Sequence, residues 1–303
     1  MSQLYRYPMM LDLRRWIQIV ATVLSNAWLL FPFTGTIYQG KLKSFCVPGL
    51  NCYSCPAAVG SCPLGALQTF MANIRPSLAV GNFHIGFYVI GFLGLIGSLV
   101  GRMPCAWVCP FGFMQELIHK IPSPKIEIPR ILAWLKYVML VFLVILLPLL
   151  VVDLFGYGEN WFCKYVCPAG TLQAGIPMII LQPPLRGILG TLFAVKLIIL
   201  VVLLVSMVFI RRPFCRILCP LGAIYSLFNK VSVFRMVHHP DNCVLCKQCY
   251  RNCPMGVRFY EGANQKDCIR CLQCLRKSCK YGAISYEVAG ALPVEKKQPV
   301  KES

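Results

Sequence analysis

The segment Cys243-Val-Leu-Cys246-Lys-Gln-Cys249-Tyr-Arg-Asn-Cys253-Pro254 is followed by a second run, Cys268-Ile-Arg-Cys271-Leu-Gln-Cys274-Leu-Arg-Lys-Ser-Cys279. Each run has three cysteines at Cys-x-x-Cys spacing and a fourth cysteine further along. Three thiolates on one tight loop can cover three corners of an iron–sulfur cube, so the fourth corner must be met from elsewhere. The spacing therefore predicts cubic clusters, and zinc held by Cys-x-x-Cys pairs is the alternative.

This double run resembles the bacterial two-cluster ferredoxin, in which the fourth cysteine of each run binds the cluster of the other run. The resemblance implies one [4Fe–4S] cluster on Cys243, Cys246, Cys249 and Cys279, and a second on Cys268, Cys271, Cys274 and Cys253. The second run departs from the ferredoxin pattern, because four residues precede Cys279 and Lys280 follows it in place of proline. We expect a two-cluster ferredoxin-like α+β domain over residues 237–290 and a disordered tail over residues 291–303.

The composition of the 303 residues is that of a membrane protein, because 57% are hydrophobic and only 14% are charged. The chain has 18 cysteines, which in a short secreted protein would indicate a disulfide scaffold. Their spacing favours metal thiolates instead. The net charge of +19 is compatible with nucleic-acid binding, but membrane topology and the negative charge of bound clusters account for it. We therefore predict no nucleic-acid partner.

Four apolar runs approach the roughly 20 residues that cross a bilayer as a helix, namely Trp16–Phe33, Asn82–Val100, Ile131–Val152 and Thr191–Ile210. Lysine and arginine are concentrated in the segments that share one side with both termini. The positive-inside rule then predicts a multi-pass protein of the inner (cytoplasmic) membrane with both termini in the cytoplasm. The first run lacks a signal-peptide cleavage site, so we expect a retained anchor. Gly86, Gly91, Gly94 and Gly97 would allow close packing of the second run.

The string Cys-Pro-x-Gly occurs four times and indicates an internal repeat. Its cysteines are Cys62, Cys109, Cys167 and Cys219, and the first and third copies are 105 residues apart, the second and fourth 110. We predict a mainly α membrane domain over residues 1–236 with four transmembrane helices in two tandem repeats, 1–130 and 131–235. The proline fixes φ and removes a backbone donor, so a helix should begin there. The glycine permits a close backbone approach.

Three Cys-x-x-x-Cys-Pro motifs accompany the four spans and the double run, at Cys105/Cys109, Cys163/Cys167 and Cys215/Cys219. With this combination nearly the whole chain resembles the NapH/NosR-like family of membrane 4Fe-4S ferredoxins of the quinol dehydrogenase type. The resemblance implies a four-span anchor, a C-terminal two-cluster ferredoxin, and electron transfer between the quinone pool and redox partner proteins. The additional cysteines Cys46, Cys52 and Cys55 before Cys62 go beyond the minimal family pattern.

The predicted topology brings Cys105, Cys109, Cys215 and Cys219 to the inner surface, as ligands of an inner cluster or as free or redox-active thiol pairs. The outer cysteines allow three arrangements. By the repeat, Cys62 and either Cys52 or Cys55 would join Cys163 and Cys167 in an outer cluster. Alternatively, Cys46, Cys52, Cys55 and Cys62 would hold the cluster and leave Cys163/Cys167 as a thiol pair. In the third arrangement they form disulfides, because an outer face can be oxidising.

The leading functional prediction is an electron-transfer subunit with two to four [4Fe–4S] clusters. It would pass single electrons between the quinone pool, or a membrane or outer partner, and a cytoplasmic redox partner protein. A redox sensor or a metalloenzyme maturation factor would use the same ligands, whereas a transmembrane thiol–disulfide relay would need exposed thiols of low pKa. The sequence contains no dinucleotide-binding fingerprint. It predicts no catalytic residue, and a quinone site is implied only by the resemblance.

Overall fold

The computed structural model describes residues 13–81 and 84–289. The longer helices are α1 (Leu13–Ser25), α2 (Pro63–Ala72), α3 (Ile74–Val80), α4 (His84–Val100), α5 (Pro110–Ile118), α6 (Arg130–Leu150), α7 (Pro168–Leu181), α8 (Thr191–Phe209) and α9 (Pro220–Phe228). Short helical turns lie at Phe31–Thr34, Lys41–Ser44, Pro104–Trp107, Phe162–Val166, Pro183–Ile188, Pro213–Ile217, Pro240–Asn242, Gln248–Arg251, Phe259–Glu261 and Cys274–Ser278. The tail predicted at 291–303 lies outside the described residues.

Two of these helices, α6 and α8, are long and apolar enough to cross a membrane. The apolar helices Gly86–Val100 and Pro168–Leu181 are shorter, so four spans stay a prediction. The predicted run Trp16–Phe33 is not one helix, because α1 ends at Ser25 and a separate turn follows at Phe31–Thr34. The Asn26 side chain donates back to Thr22 O (3.0 Å), and Trp28 N donates to Ala57 O (3.1 Å) instead of continuing the helix.

Helix α1 has the reverse of the polarity of a helix on a water-soluble protein. Its polar residues Arg14, Gln18 and Ser25 are buried, while its apolar residues Trp16, Val20, Val23 and Leu24 are exposed. Helix α8 also exposes many apolar side chains, namely Val195, Ile198, Val201, Val202 and Val205. Helix α1 therefore buries polar groups against the protein, and both helices present an apolar surface outward.

A helix begins at each proline that follows the second cysteine of a motif, as predicted. These helices are α2, α5, α7 and α9, which start at Pro63, Pro110, Pro168 and Pro220. Helices α2 and α9 both pack against α4 and α6, while α8 contacts α5 and α7. One continuous core runs through all four motifs, so the repeat places its cysteines at the centre of the helical domain.

The C-terminal region adds a two-stranded antiparallel sheet of β1 (Phe234–His238) and β2 (Ile284–Val288), which pairs Phe234 with Val288. Strand β1 begins before residue 237, where the sequence predicted the ferredoxin domain to start. A small core of Met236, Phe259 and Ile284 lies beneath the sheet. This region is therefore α+β and closes on itself by pairing its first and last segments.

The buried side chain of Asn229 joins this region to the helical domain. Its Oδ1 accepts from Arg102 N (3.0 Å), and its Nδ2 donates to Gln265 O (3.0 Å) and Cys268 O (2.8 Å). Because Asn229 ends α9, the helix that follows Cys219, these bonds fix the loop before Cys268 against the Cys215/Cys219 motif of the helical domain.

Candidate functional site

The eight cysteines of the double run surround two clefts. The first cleft is lined by Cys243, Cys246, Cys249 and Cys279. The second is lined by Cys253, Cys268, Cys271 and Cys274, with Cys249 at its edge. Both sets are the ligand sets that the ferredoxin resemblance implied, including the exchange of the fourth cysteine between the two runs. We call the first cleft the outer ferredoxin site, because it includes the exposed Cys246. We call the second cleft the inner ferredoxin site.

The loop around each middle cysteine is held in an unfavourable backbone conformation. Leu245 and Lys247 flank Cys246 with φ of 50° and 58°, while Arg270 and Leu272 flank Cys271 with φ of 50° and 59°. Left-handed conformations cost non-glycine residues on the order of 1 kcal/mol each. Alternating left- and right-handed residues turn successive N–H groups towards one side and form an anion-binding concavity. Such loops fit an anionic cluster held by thiolates.

A third group of four cysteines lies in the core of the helical domain. It consists of Cys105, Cys109, Cys215 and Cys219, which are 5–7% exposed, and we call it the central group. Cys219 interacts electrostatically with the other three thiols. Burial, together with the neighbouring thiols of Cys215 and Cys105, raises the pKa of the Cys109 thiol to about 12. The structure thus brings together one cysteine pair from each half, as the repeat predicted.

A fourth group consists of Cys52, Cys62, Cys163 and Cys167, which we call the distal group. Cys163 interacts electrostatically with the other three thiols, as Cys167 does with Cys52 and Cys62. Cys46 and Cys55 lie beside the group, where they interact electrostatically with Cys62 and Cys52 respectively, but each also has a polar partner outside it. Cys46 Sγ is 3.6 Å from Ser61 Oγ, and Cys55 Sγ is 3.8 Å from Asn26 Oδ1. Of the three arrangements considered, the geometry matches the first, with Cys52 as the fourth member.

The distal and central groups lie next to each other, although the sequence suggested opposite membrane surfaces. The loop before Cys52 folds into the core, where Leu50 N donates to Cys109 Sγ at 3.4 Å. Gly49 packs against the backbone of Cys109 so closely that a Cβ there would lie 2.8 Å from Cys109 Cα. The positive-inside rule could not reveal this contact. It assigns each loop to one side of the membrane but does not say how deeply the loop folds into the protein.

The second cysteine of each motif occupies the N-cap of the helix that follows it. Gly112 N donates to Cys109 Sγ at 3.4 Å, and Gly222 N donates to Cys219 Sγ at 3.3 Å. In the distal group the equivalent donors to Cys62 and Cys167 are the N–H groups of Gly65 and Gly170. A helix N-terminus stabilises negative charge, so each position favours a thiolate.

Glu116 lies beneath the central group among three arginines. It accepts from Arg14 (2.9 and 2.7 Å) and Arg212 (2.6 Å), and Arg15 lies 2.9 Å away. Burial alone would raise the pKa of Glu116, but the guanidinium groups of Arg212 and Arg14 lower it to about 2. The carboxylate is therefore ionised and cannot neutralise all three cations.

Arg102 connects the central group with the inner ferredoxin site. It is fully buried, donates through Nη2 to Cys215 O and through Nη1 to Asp267 Oδ1 at 3.1 Å, beside Cys268. Lys136 forms an ion pair with the same carboxylate. Nearby, Trp107 Nε1 donates to Arg270 O at 3.1 Å.

The excess of buried positive charge is a separate test of whether iron–sulfur clusters fit. The buried cations are Arg14, Lys43, Arg102, Lys136, Arg212 and Arg270, and Glu116 is the buried carboxylate among the described residues. Buried charges need partners of opposite sign. A thiolate-ligated [4Fe–4S] centre carries roughly two negative charges when oxidised, so clusters at these groups would supply them. No group of three or more His, Cys, Asp or Glu side chains within the described ranges has the spacing of a single-ion site.

Sequence reasoning missed Arg102, Glu116, Asp267 and the inward loop around Leu50. Glu116 could have been noticed as the carboxylate that follows the Cys109 motif within a helix, in a chain with only 11 acidic residues. Arg102 and Asp267 have no comparable signal, because they meet only after the ferredoxin region docks.

The helical domain matches a known family of iron–sulfur proteins. The family described as "4Fe-4S binding domain" matches residues 82–129, 137–180 and 192–236, and each segment contains one Cys-Pro motif. The chain is 34% identical over 263 residues to the uncharacterized protein MJ0750 of Methanocaldococcus jannaschii, covering 84% of this chain and 91% of that protein.

More distant relatives carry functional names. The putative electron transport protein YccM of Escherichia coli is 24% identical over 230 residues, 69% of this chain and 58% of its own length. The regulatory protein NosR of Pseudomonas aeruginosa is 26% identical over 181 residues, which is 56% of this chain and 22% of NosR. No solved structure is significantly similar to the chain.

Proposed function

Because this chain belongs to the NapH/NosR-like family of ferredoxin-type 4Fe-4S proteins, we propose that it is a membrane-bound electron carrier whose clusters form one relay. Iron–sulfur electron transfer is the function its relatives support. In the proposed protein, [4Fe–4S] clusters occupy the outer and inner ferredoxin sites, the central group and the distal group. Each cluster would accept and release one electron at a time.

The observation that carries this proposal is the continuity of contact between the four cysteine groups. The loop at Leu50 joins the distal group to the central group. Arg102 joins the central group to the loop of the inner ferredoxin site. Cys249 lines both ferredoxin clefts. The four groups therefore follow one another as neighbours from the core of the helical domain to the exposed Cys246.

The exposed apolar surface supports a membrane location. Large exposed apolar patches mark membrane or protein contacts, and here they cover α1, α6 and α8. In the proposed orientation both termini and the ferredoxin region face the cytoplasm, in line with the distribution of lysine and arginine.

The two ends of the relay would meet different partners. At the outer ferredoxin site, Cys246 is exposed beside the basic residues Lys247, Arg276 and Lys280, which are also exposed. We place a soluble cytoplasmic redox protein there. The distal group would exchange electrons with the quinone pool or with a membrane or outer partner.

The burial of the motif cysteines argues against a thiol–disulfide relay. Such a relay needs thiols that a partner can reach. The cysteines of the central group are at most 7% exposed. Electron transfer through a buried cluster needs no such access.

The test is the iron and acid-labile sulfide content of anaerobically purified protein, together with EPR of the reduced form. Four cubanes would give about 16 irons per chain, and clusters in the ferredoxin region alone would give about 8. Cys219→Ser removes a central ligand, so we expect a loss of about four irons. Cys46→Ser is the matched control, because Cys46 is buried but lies outside the four groups, and it should keep its iron. Colourless protein that contains zinc would overturn the proposal.

A further inference from the structure

The four Cys-Pro motifs share a further position, six residues after the second cysteine. It is glutamine in three copies, Gln68, Gln115 and Gln173, and tyrosine in the fourth, Tyr225. One residue type recurring at a fixed offset in three of four copies indicates a common role. The helices α2, α5, α7 and α9 carry these residues in their second turn.

Each glutamine crosses to a cysteine of the opposite half. Gln68 Oε1 accepts from Cys163 N at 3.3 Å, and Gln173 Oε1 accepts from Cys52 N at 2.9 Å. Gln115 Nε2 donates to Cys215 Sγ at 3.0 Å. Each glutamine therefore contacts the first cysteine of another motif. That cysteine belongs to the same group of four as the second cysteine of the glutamine's own motif.

Tyr225 occupies the equivalent place opposite Cys105. It is fully buried, and its Oη has no hydrogen-bond partner among the described residues. The strongest electrostatic neighbour of the phenol group is Cys105, followed by Cys62 and Cys109. A buried hydroxyl without an acceptor is unfavourable, so this O–H group calls for an acceptor inside the group. Gln68 Nε2 is buried and unpaired in the same way at the distal group.

We propose that these positions donate hydrogen bonds to the bound clusters, and that Tyr225 thereby tunes the reduction potential of the central cluster. The inference rests on the proposed function, since it requires a cluster at the central group. Hydrogen bonds to cluster sulfurs stabilise the more negative, reduced form and so raise the potential. Because tyrosine replaces glutamine in one copy, the central and distal clusters have different donors despite the repeat. The replacement gives two otherwise equivalent sites distinct potentials.

The experiment is an EPR-monitored redox titration of the full-length, anaerobically purified protein and its Tyr225→Phe variant. Phenylalanine keeps the ring and removes only the donor. The central signal is identified as the one that Cys219→Ser abolishes. At the wild-type midpoint we expect about a tenfold drop in the reduced-to-oxidised ratio of that signal, which is about 59 mV for a one-electron couple.

Tyr137→Phe is the matched control. It removes a phenolic hydroxyl from α6, which packs on α9, but that hydroxyl is paired with Ser226 Oγ at 2.7 Å and not with a thiol. Its potentials should stay at the wild-type values. Gln68→Met is the reciprocal variant, and it should lower the potential of the distal signal while leaving the central one unchanged.

The outcomes separate this inference from the proposed function. A full complement of iron in Tyr225→Phe with an unmoved central potential overturns the role of Tyr225 and leaves the relay intact. Absence of a central signal from the wild-type protein overturns both. Equal shifts in all clusters, or a shift in Tyr137→Phe, would mean that general loosening and not a lost donor changes the potential, and this too would refute the inference.

Discussion

At the scale of single residues, one carboxylate organises the base of the central group. Glu116 binds Arg14 and Arg212 and lies next to Arg15, and only 8% of the residue is exposed. These arginines come from α1 and from the segment before Cys215, so the carboxylate ties both halves of the repeat together. Removing one member of a buried ionic network leaves the others uncompensated.

Glu116→Gln should therefore lower the free energy of unfolding by about 3–5 kcal/mol. The measurement is chemical denaturation in detergent, followed by circular dichroism. Glu261→Gln is the control, because Glu261 pairs with Arg130 and Arg258 at the surface, and it should behave like the wild type. Equal stability of both variants would show that Glu116 does not connect the two halves.

The same residue predicts a dependence on pH. The pKa of Glu116 is lowered from 4.5 to about 2 in the folded protein. A lowered pKa in the folded state stabilises the fold above the unfolded value and loses that effect as the pH falls through the folded value. The stability difference between the wild type and Glu116→Gln should thus be constant above about pH 5 and shrink towards pH 2. A difference that grows on acidification would contradict this.

At the scale of elements, helix α4 shows how the glycines of an apolar helix differ in role. A Cβ on Gly97 would lie 2.6 Å from the Phe228 ring, and one on Gly86 would lie 2.0 Å from the Phe70 ring. Gly91 and Gly94 have nothing within 4 Å of that position. Two of the four glycines therefore permit close packing, as the sequence suggested, while the other two face open space.

Gly97→Ala should lower the free energy of unfolding by about 1–3 kcal/mol, because α9 must move away from α4. Gly91→Ala should be neutral or stabilising by up to about 1 kcal/mol, since alanine favours a helix. The unfolding midpoints of the two detergent-solubilised variants provide the comparison. Equal midpoints would contradict the close packing of α4 and α9.

At the scale of the whole molecule, the exposed apolar side chains and the exposed charges lie in different regions. Helix α8 has exposed valines and isoleucines along its length, whereas its buried residues Leu203 and Met207 belong to the core that contains the central cysteines. The exposed positive charge gathers at the ferredoxin end. A molecule built this way would hold part of its relay within the hydrocarbon layer.

Val202→Asp, in the middle of α8, should reduce the amount of protein in the membrane fraction. An aspartate at the centre of a spanning helix costs about 2.5–3.5 kcal/mol in insertion. Val244→Asp is the control, because Val244 is similarly exposed, 57% against 61%, but lies in the ferredoxin region. Membrane fractionation and alkaline carbonate extraction measure the effect. Equal recovery of both variants in the membrane would argue that α8 does not contact lipid.

Local patterns made parts of the site predictable. The grouping of the cysteines at the two ferredoxin clefts agrees with the sets that the ferredoxin resemblance implied. The helices at Pro63, Pro110, Pro168 and Pro220 follow from the restricted φ of proline. The ends of α4, α6 and α8 agree with the apolar runs to within a few residues. The prediction of one helix over Trp16–Phe33 was wrong, because hydropathy does not detect side chains such as Asn26. Such side chains end a helix by hydrogen bonding to its backbone.

The amino-acid sequence by itself determined which side chains could bind iron, and the repeat paired the halves of the central group. Only the tertiary structure decided that Cys52 joins the distal group while Cys46 and Cys55 do not, that Leu50 brings the distal and central groups together, and that Arg102 connects them to the ferredoxin region. The physical reason is range. Spacing and periodicity act over a few residues along the chain, whereas these contacts join segments that are distant in sequence and meet only when the core is packed.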